Sequence, residues 1–299
     1  MLAFTFSEFF QQVVAGLASG AIYASLALAL VLIHRATGVI NFAQGEMAMF
    51  TTYIAWTLIE NHGLNKWLAF AVTLVLAFGL GFGLQQVVIR PIQRASILTT
   101  VIVTIGLVLI FNGLAGLIWS AEVRAFPSPF PNDTWEVGGV AISQQDVGTF
   151  AVVLVLVALL WAFFQFTKIG LALRASALNP DASRLVGVRV GWMLAIGWGL
   201  AAMLGAVAGM LTAPTVFLDP NMMQAVLIYA FAAAVLGGID SPFGAVVGGL
   251  MLGVGLNLIG TYIDFVGAGL RLPVALLIIL VVLLVKPAGL FGKAVTRPE

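Results

Sequence analysis

Residues 16–50 read GLASGAIYASLALALVLIHRATGVINFAQGEMAMF, and their reading decides the fold. The first half is an unbroken apolar run. It reaches back to Val13, ends at Ile33, and is long enough to cross a bilayer, which takes about 20 residues. The second half places Asn41, Gln44 and Glu46 inside sequence that is otherwise of membrane type. An acidic residue at the centre of a membrane helix costs roughly 2.5–3.5 kcal/mol and faces a protein interior or a water-filled path rather than lipid. One stretch thus carries both the fold class and the first functional clue.

The rest of the chain agrees with the first span. Of its 299 residues 62% are hydrophobic and only 8% charged, against about 25% charged in soluble domains. The chain is read as an all-α integral membrane protein, a multi-span helical bundle. Candidate spans lie at 10–33, 42–59, 67–89, 98–119, 149–167, 192–213, 223–239, 244–262 and 270–286. About eight to ten spans is the expected range. The second and seventh are short. Gly45 and Glu46 interrupt the second and Pro242 closes the seventh, so either is expected to be broken or re-entrant. No Lys or Arg precedes Arg35, and the first run is too long for the apolar core of a signal peptide.

Net charge is +1, which gives no reason to expect nucleic-acid binding. There is no cysteine and there are only two histidines, His34 and His62. No cofactor or metal site is expected. Gly292-Lys293 is the only Gly-Lys pair and lacks the upstream glycine of a phosphate-binding loop. If ATP drives this protein, another chain hydrolyses it, and no enzymatic role is expected here.

Basic residues set the orientation. Residues 168–190 carry Lys168, Arg174, Arg184 and Arg189 against Asp181; residues 90–97 carry Arg90 and Arg94; the C-terminal tail carries Lys286, Lys293 and Arg297. These belong in the cytoplasm. Segment 120–148 holds Arg124 against Glu122, Asp133, Glu136 and Asp146, and belongs outside. With nine spans the N-terminus is also outside. Within the outer segment, 135–137 and 140–142 read as a small β-hairpin turning at Gly138-Gly139. It reads equally as a plug, lid or docking surface and as a connecting loop.

Glycines spaced by four recur: Gly16/Gly20, Gly79/Gly83, Gly205/Gly209, Gly244/Gly248 and Gly249/Gly253. They predict close helix packing. Among polar residues in the spans, Asn41 and Gln44 would share a helix face. Glu46 falls on another side unless the helix breaks at Gly45. It either lines a solute path or braces a broken helix, with Arg35 or a backbone amide as partner. Thr99, Thr100 and Thr104 fit hydroxyl bonds to the preceding turn, and Asn112 and Asn257 fit interhelical hydrogen bonds. Thr104, Asn112 and Asn257 join Asn41, Gln44 and Glu46 as solute-path or gate candidates. In the inner loop, Asn179-Pro180-Asp181 reads as a helix cap with Pro at the first helical position, and a short helix ends at Gly187.

Three elements carry a resemblance: residues 16–50 quoted above, GLALRASALNPDASRLVGVRV at 170–190, and AVLGGIDSPFGAVVGGLMLG at 234–253. All three resemble the permease subunit of branched-chain amino acid ABC importers of the LivH type, from about Phe10 to Gly292. The family's first motif commonly has a histidine after Asn-Phe-Ala; here the position is Gln44. Relatives of the same layout serve urea and short amides. The resemblance implies a single permease domain over 1–299 in a bacterial inner membrane. It implies a second permease subunit, cytoplasmic ATP-binding subunits, a periplasmic substrate-binding protein and a small-molecule solute as partners. It also implies an ATPase-coupling role for 168–190, with Arg174, Asn179, Asp181, Arg184 and Gly187. The expected function is import of branched-chain amino acids or a similar solute by alternating access. The other readings are an ion-coupled secondary transporter or channel and a structural subunit without solute flux.

Overall fold

The computed structural model describes residues 6–93, 95–131, 133–137, 140–267 and 269–292. In chain order the elements are α1 (Phe6–Thr37), α2 (Gln44–Glu60), α3 (Lys66–Leu84), a π-helical turn (Gln85–Ile89), α4 (Arg90–Ile92), α5 (Ile97–Trp119), β1 (Thr134–Val137), β2 (Val140–Ser143), α6 (Gln144–Phe166), α7 (Lys168–Leu178), α8 (Pro180–Leu185), α9 (Val190–Val216), α10 (Gln224–Gly237), α11 (Pro242–Tyr262) and α12 (Arg271–Val285). Each of the nine expected spans corresponds to a helix. Six are long and apolar enough to cross a membrane: α1, α3 continued through the π turn and α4, α5, α6, α9 and α11. The protein is therefore a multi-pass membrane protein. Helices α2, α10 and α12 have 17, 14 and 15 residues. At 1.5 Å per residue, a 14-residue helix reaches only about 21 Å, short of the hydrocarbon thickness.

The chain divides into two compact units. The first comprises 1–31, 128–153 and 225–299. Its two glycine pairs on α1 and α11 interlock. A Cβ on Gly16 would lie 2.7 Å from the Val254 Cα, one on Gly20 would lie 2.9 Å from the Leu250 Cα, and one on Gly249 would lie 2.5 Å from the Ala24 Cα. Such backbone-on-backbone approach leaves no room for any side chain. Asn257 closes the other end of the same contact, donating to the Gln12 carbonyl at 2.8 Å and its Oε1 at 2.9 Å. Gly248 packs on α10, where a Cβ would come 2.9 Å from Gly237 N. The residues after α12 return to the end of α10. Leu290 N donates to Leu236 O and Phe291 N to Gly237 O, which satisfies carbonyls that a helix terminus leaves open. The hairpin forms as expected, with Trp135 opposite Ile142 and Val137 opposite Val140. Its two expected turn glycines, Gly138 and Gly139, lie outside the described residues.

The second unit comprises 32–127 and 154–224. Helix α9 is its most enclosed element. Gly205 and Gly209 admit α2: a Cβ on Gly205 would stand 2.6 Å from Gln44 Nε2, and one on Gly209 would stand 2.7 Å from the Ala48 carbonyl. Gly81 does the same for α3, where a Cβ would stand 2.9 Å from the Trp198 carbonyl carbon. Gly79 and Gly83, which carry the spaced signature, face open space. The packing glycine is the one between them. Gly79→Ala and Gly83→Ala are thus expected to change stability by no more than about 0.5 kcal/mol and to leave the thermal midpoint of the purified protein near that of wild type. Gly81→Val is expected to lower it measurably in the same thermal scan.

Two expectations about helix ends are corrected. The second span does not break at Gly45, which is buried inside the first turn of α2. The break lies upstream at 38–43, where Gly38 takes φ +73°, a backbone conformation open to glycine at no steric cost. Helix α1 consequently runs on past His34 and Arg35 to Thr37. The seventh span ends at Gly237, with Gly238 at φ +109°. Pro242 instead opens α11, behind an N-cap formed by Ser241 Oγ accepting from Gly244 N at 3.0 Å.

Candidate functional site

The polar stretch at 41–46 forms the start of α2 in the second unit. Asn41 lies before the helix, not on it. Its Oδ1 accepts from Ala43 N at 3.1 Å and its Nδ2 donates to Gln44 Oε1 at 3.3 Å. Gln44 Nε2 then donates to the Ala201 carbonyl on α9 at 2.9 Å. The two amides meet as a turn and a relay, not as neighbours on a helix face, because the Gly38 break releases Asn41 from the helix. Both side chains are buried. Their hydrogen bonds pin the entry of α2 to α9, a task an amide performs without a titratable ring.

Glu46 lies in the first turn of α2, and the first turn of a helix favours a carboxylate electrostatically. It is 4% exposed, and Oε2 has no hydrogen-bond partner. No base pairs with it among the described residues, so the expected Arg35 brace is not formed. Instead the Asn112 side chain of α5 lies against the carboxyl, and Asp219 is within electrostatic reach. Asn112 Nδ2 also donates to the Pro220 carbonyl at 2.9 Å and to Asn221 Oδ1 at 3.2 Å. The α9–α10 connection is thereby held beside Glu46.

That connection is shaped by two matching helix ends. Helix α5 stops at Ser120 (φ +65°) and α9 at Phe217 (φ +67°). Both are non-glycine residues in a left-handed conformation, which stores strain of order 1–3 kcal/mol each. The chains leaving them pair directly, Arg124 N to Leu218 O at 2.9 Å and Leu218 N to Arg124 O at 2.8 Å. Around the bridge, Trp119 stacks on Tyr53 with centroids 5.0 Å apart and donates to Thr57 Oγ1 at 2.8 Å. Arg124 stands 4.6 Å over the Trp56 ring. Sequence reasoning missed Tyr53, Trp119, Asp219 and Asn221. No local signal marks them, since aromatics and span-end acids are commonplace in membrane helices.

The other candidates fall elsewhere. Thr104 is buried, and its hydroxyl donates to the Val101 carbonyl at 2.9 Å, the bond to the preceding turn that its type favours. Asn257 belongs to the first unit and is bonded to Gln12.

The loop at 168–190 folds as its residues direct. Thr167 caps α7, accepting from Gly170 N at 2.9 Å, and Asn179 caps α8, accepting from Ala182 N at 3.0 Å, with Pro180 at the first helical position. Helix α8 ends at Gly187 (φ +85°), whose N–H reaches Arg184 O while Val188 N reaches Ser183 O, both at 3.0 Å. This paired closure is the Schellman arrangement, and it requires the left-handed residue. Asp181 and Arg184 form an exposed i,i+3 pair at 2.7 Å. Leu178, Leu185 and Val186 are 80%, 89% and 79% exposed around the same short helix. The loop thus presents an apolar tip set among charges. Arg174 lies on α7 with Nε buried and without a hydrogen-bond partner.

The chain is similar along nearly its whole length to known transport proteins. The high-affinity branched-chain amino acid transport system permease protein BraD of Pseudomonas aeruginosa is 31% identical, with 98% of this chain and 97% of that protein covered. LivH of Escherichia coli K12, described in the same words, is 30% identical with the same coverage. A probable branched-chain amino acid transport permease protein LivH of Methanocaldococcus jannaschii is 30% identical over 89% of this chain and 87% of its own. Among solved structures, PsaBC from Streptococcus pneumoniae in complex with Fab matches with a TM-score of 0.51 at 15% identity, covering 95% of this chain and 97% of that one; the likeness is one of fold. The family described as branched-chain amino acid transport system, permease component, matches residues 12–285, and the chain belongs to that family as a membrane permease subunit.

Proposed function

We propose that this chain acts over its whole length as one translocation domain of an ATP-driven importer in a bacterial inner membrane. Its solute is a branched-chain amino acid, delivered by a periplasmic binding protein. The observation that carries the coupling half of this reading is the tip of the inner loop. An exposed leucine on a capped six-residue helix, flanked by Arg184 and Asp181, is an unfavourable surface in water and a favourable one inside a protein groove. A separate ATP-binding subunit is the partner that fits it, because this chain has no phosphate-binding loop of its own. The basic character of 168–190 places it, with the C-terminus, on the cytoplasmic side, and the acidic hairpin segment outside beside the binding protein. The named relatives supply the solute class.

Specificity in such a system resides chiefly in the delivering protein, so the membrane path need hold its solute only weakly. The start of α2 is the path element in this reading, with Glu46 and Asn112 toward the solute and Asn41 and Gln44 holding the helix in place. Affinity purification of the tagged chain from its native membrane is expected to bring down an ATP-binding subunit and a second permease. Vesicles containing that complex are expected to take up leucine only when ATP and the binding protein are both present. Uptake driven by an ion gradient without ATP would sink the proposal in favour of a secondary transporter.

A further inference from the structure

Beside the α9–α10 connection, two buried groups on one face of α2 are left without a hydrogen-bond partner, and each lies within electrostatic reach of Asp219. Glu46 and Tyr53 are 4% and 0% exposed, and neither Glu46 Oε2 nor the Tyr53 hydroxyl has a hydrogen-bond partner. They stand two turns apart on α2. Asp219 lies within electrostatic reach of both and is only half-buried, on the more open side of the cluster. Its Oδ1 accepts one backbone bond, from Asn221 N at 2.7 Å.

Among the described residues, no ion pair forms with Glu46 or Asp219. Arg124 is the base in reach of Tyr53, but its guanidinium donates to the Trp119 carbonyl at 2.7 Å, covers the Trp56 ring and pairs with Glu122 at 3.7 Å. The Tyr53 ring cannot swing away, because it is stacked on Trp119, which is itself fixed to Thr57. Beside the cluster, Phe50 meets Phe111 and Trp119 edge-on, each at 5.3 Å, an apolar and aromatic wall. A buried carboxylate oxygen and a buried hydroxyl left open are costly unless a partner meets them. The missing complement is small, positive and rich in N–H donors. A primary ammonium has three donors and gains from a neighbouring aromatic face.

We infer that Glu46 and Tyr53, with Asp219 on the open side, form a subsite for the primary ammonium group of the transported solute. The inference rests on the importer reading above, and the experiment separates the two. The complete transporter is reconstituted in vesicles with its binding protein, and initial rates of radiolabelled leucine uptake are measured with and without ATP. Wild-type uptake that ignores ATP removes the importer reading and this subsite with it. Given ATP-dependent uptake, Tyr53→Phe and Glu46→Gln are each expected to lower the maximal rate by about tenfold or more, the equivalent of roughly 1.4 kcal/mol. The thermal midpoint of Tyr53→Phe is expected to stay level or rise, since an unpartnered buried hydroxyl is removed and the ring stack is kept. Wild-type rates in both variants overturn the subsite. So does a fall in the thermal midpoint of Tyr53→Phe, which makes the hydroxyl structural. A wild-type rate that depends on external sodium, with that dependence lost in Glu46→Gln, assigns the carboxylate to an alkali cation and also overturns it.

Discussion

Gly249→Leu is expected to remove the folded protein from the membrane fraction, or to leave it with a thermal midpoint far below wild type. The Ala24 backbone stands where the new side chain would begin, 2.5 Å from its Cβ. A flexible side chain could yield, but a helix backbone can yield only by moving the helix. The same holds at Gly16 and Gly20, where Val254 and Leu250 backbone atoms lie within 3 Å of a Cβ. Separating α1 from α11 would also break the Asn257 bonds to Gln12. In lipid there is no hydrophobic drive to reassemble the pair, because tails solvate apolar helices as well as a neighbour does. Overpacking in adaptable cores costs about 1–3 kcal/mol, and this site has little to adapt with. Gly255→Ala is the control. It lies on the same helix with nothing near its Cβ and is expected to be neutral or slightly stabilising. Fluorescence-detected size exclusion after graded heating distinguishes the two. Equal midpoints for Gly249→Leu and wild type would refute the packing argument.

Gly187→Pro is expected to abolish co-purification of the ATP-binding subunit and ATP-driven uptake together, without loss of the membrane bundle. Proline holds φ near −65° and has no N–H; Gly187 sits at φ +85° and donates to Arg184 O. The substitution therefore breaks both the conformation and the bond that close α8, and with them the aim of Leu185 and Val186. Gly187→Asn should retain most of the function, since asparagine tolerates the left-handed region. Leu185→Asp tests the surface instead of the backbone, and should weaken association by about tenfold or more if the exposed leucine fills a groove. Normal co-purification and normal uptake in Gly187→Pro and Leu185→Asp would show that the partner docks elsewhere.

Much of the fold was legible because its signals are local. An apolar run of span length means the same thing wherever it occurs, so a helix lies near the expected bounds of each of the nine spans. The loop at 168–190 was read almost to the residue, because Asn179, Pro180 and Gly187 each act on backbone atoms within a few positions. Helix ends without such residues were read less well. The end of the seventh span was assigned to Pro242, but Gly238 ends it and Ser241 opens the next helix. The break near Asn41 was placed at Gly45, whose presence inside a helix is tolerated, instead of at Gly38, whose positive φ is not compatible with one.

The candidate site was half legible. Glu46 stood out because an ionisable group in apolar sequence is rare. Gln44 looked like a path residue, yet its amide is held between Asn41 and the Ala201 carbonyl, 157 positions away. Tyr53 gave no sign at all, since its significance lies in a hydroxyl with no hydrogen-bond partner once folded.

The sequence by itself determined the solvent this chain folds in, the positions of its helices and the form of the 168–190 loop. These follow from hydrophobicity, charge and backbone preference, which act over one or two turns. Only the tertiary structure decided which glycines carry weight: Gly249 and Gly81 do, while Gly79 and Gly83, spaced by the same rule, face nothing. Only it decided that two amides brace α2 while a carboxylate and a phenol are left open beside it. Close approach and hydrogen-bond satisfaction are properties of pairs, and the partner of a residue is set by the path of the chain between them.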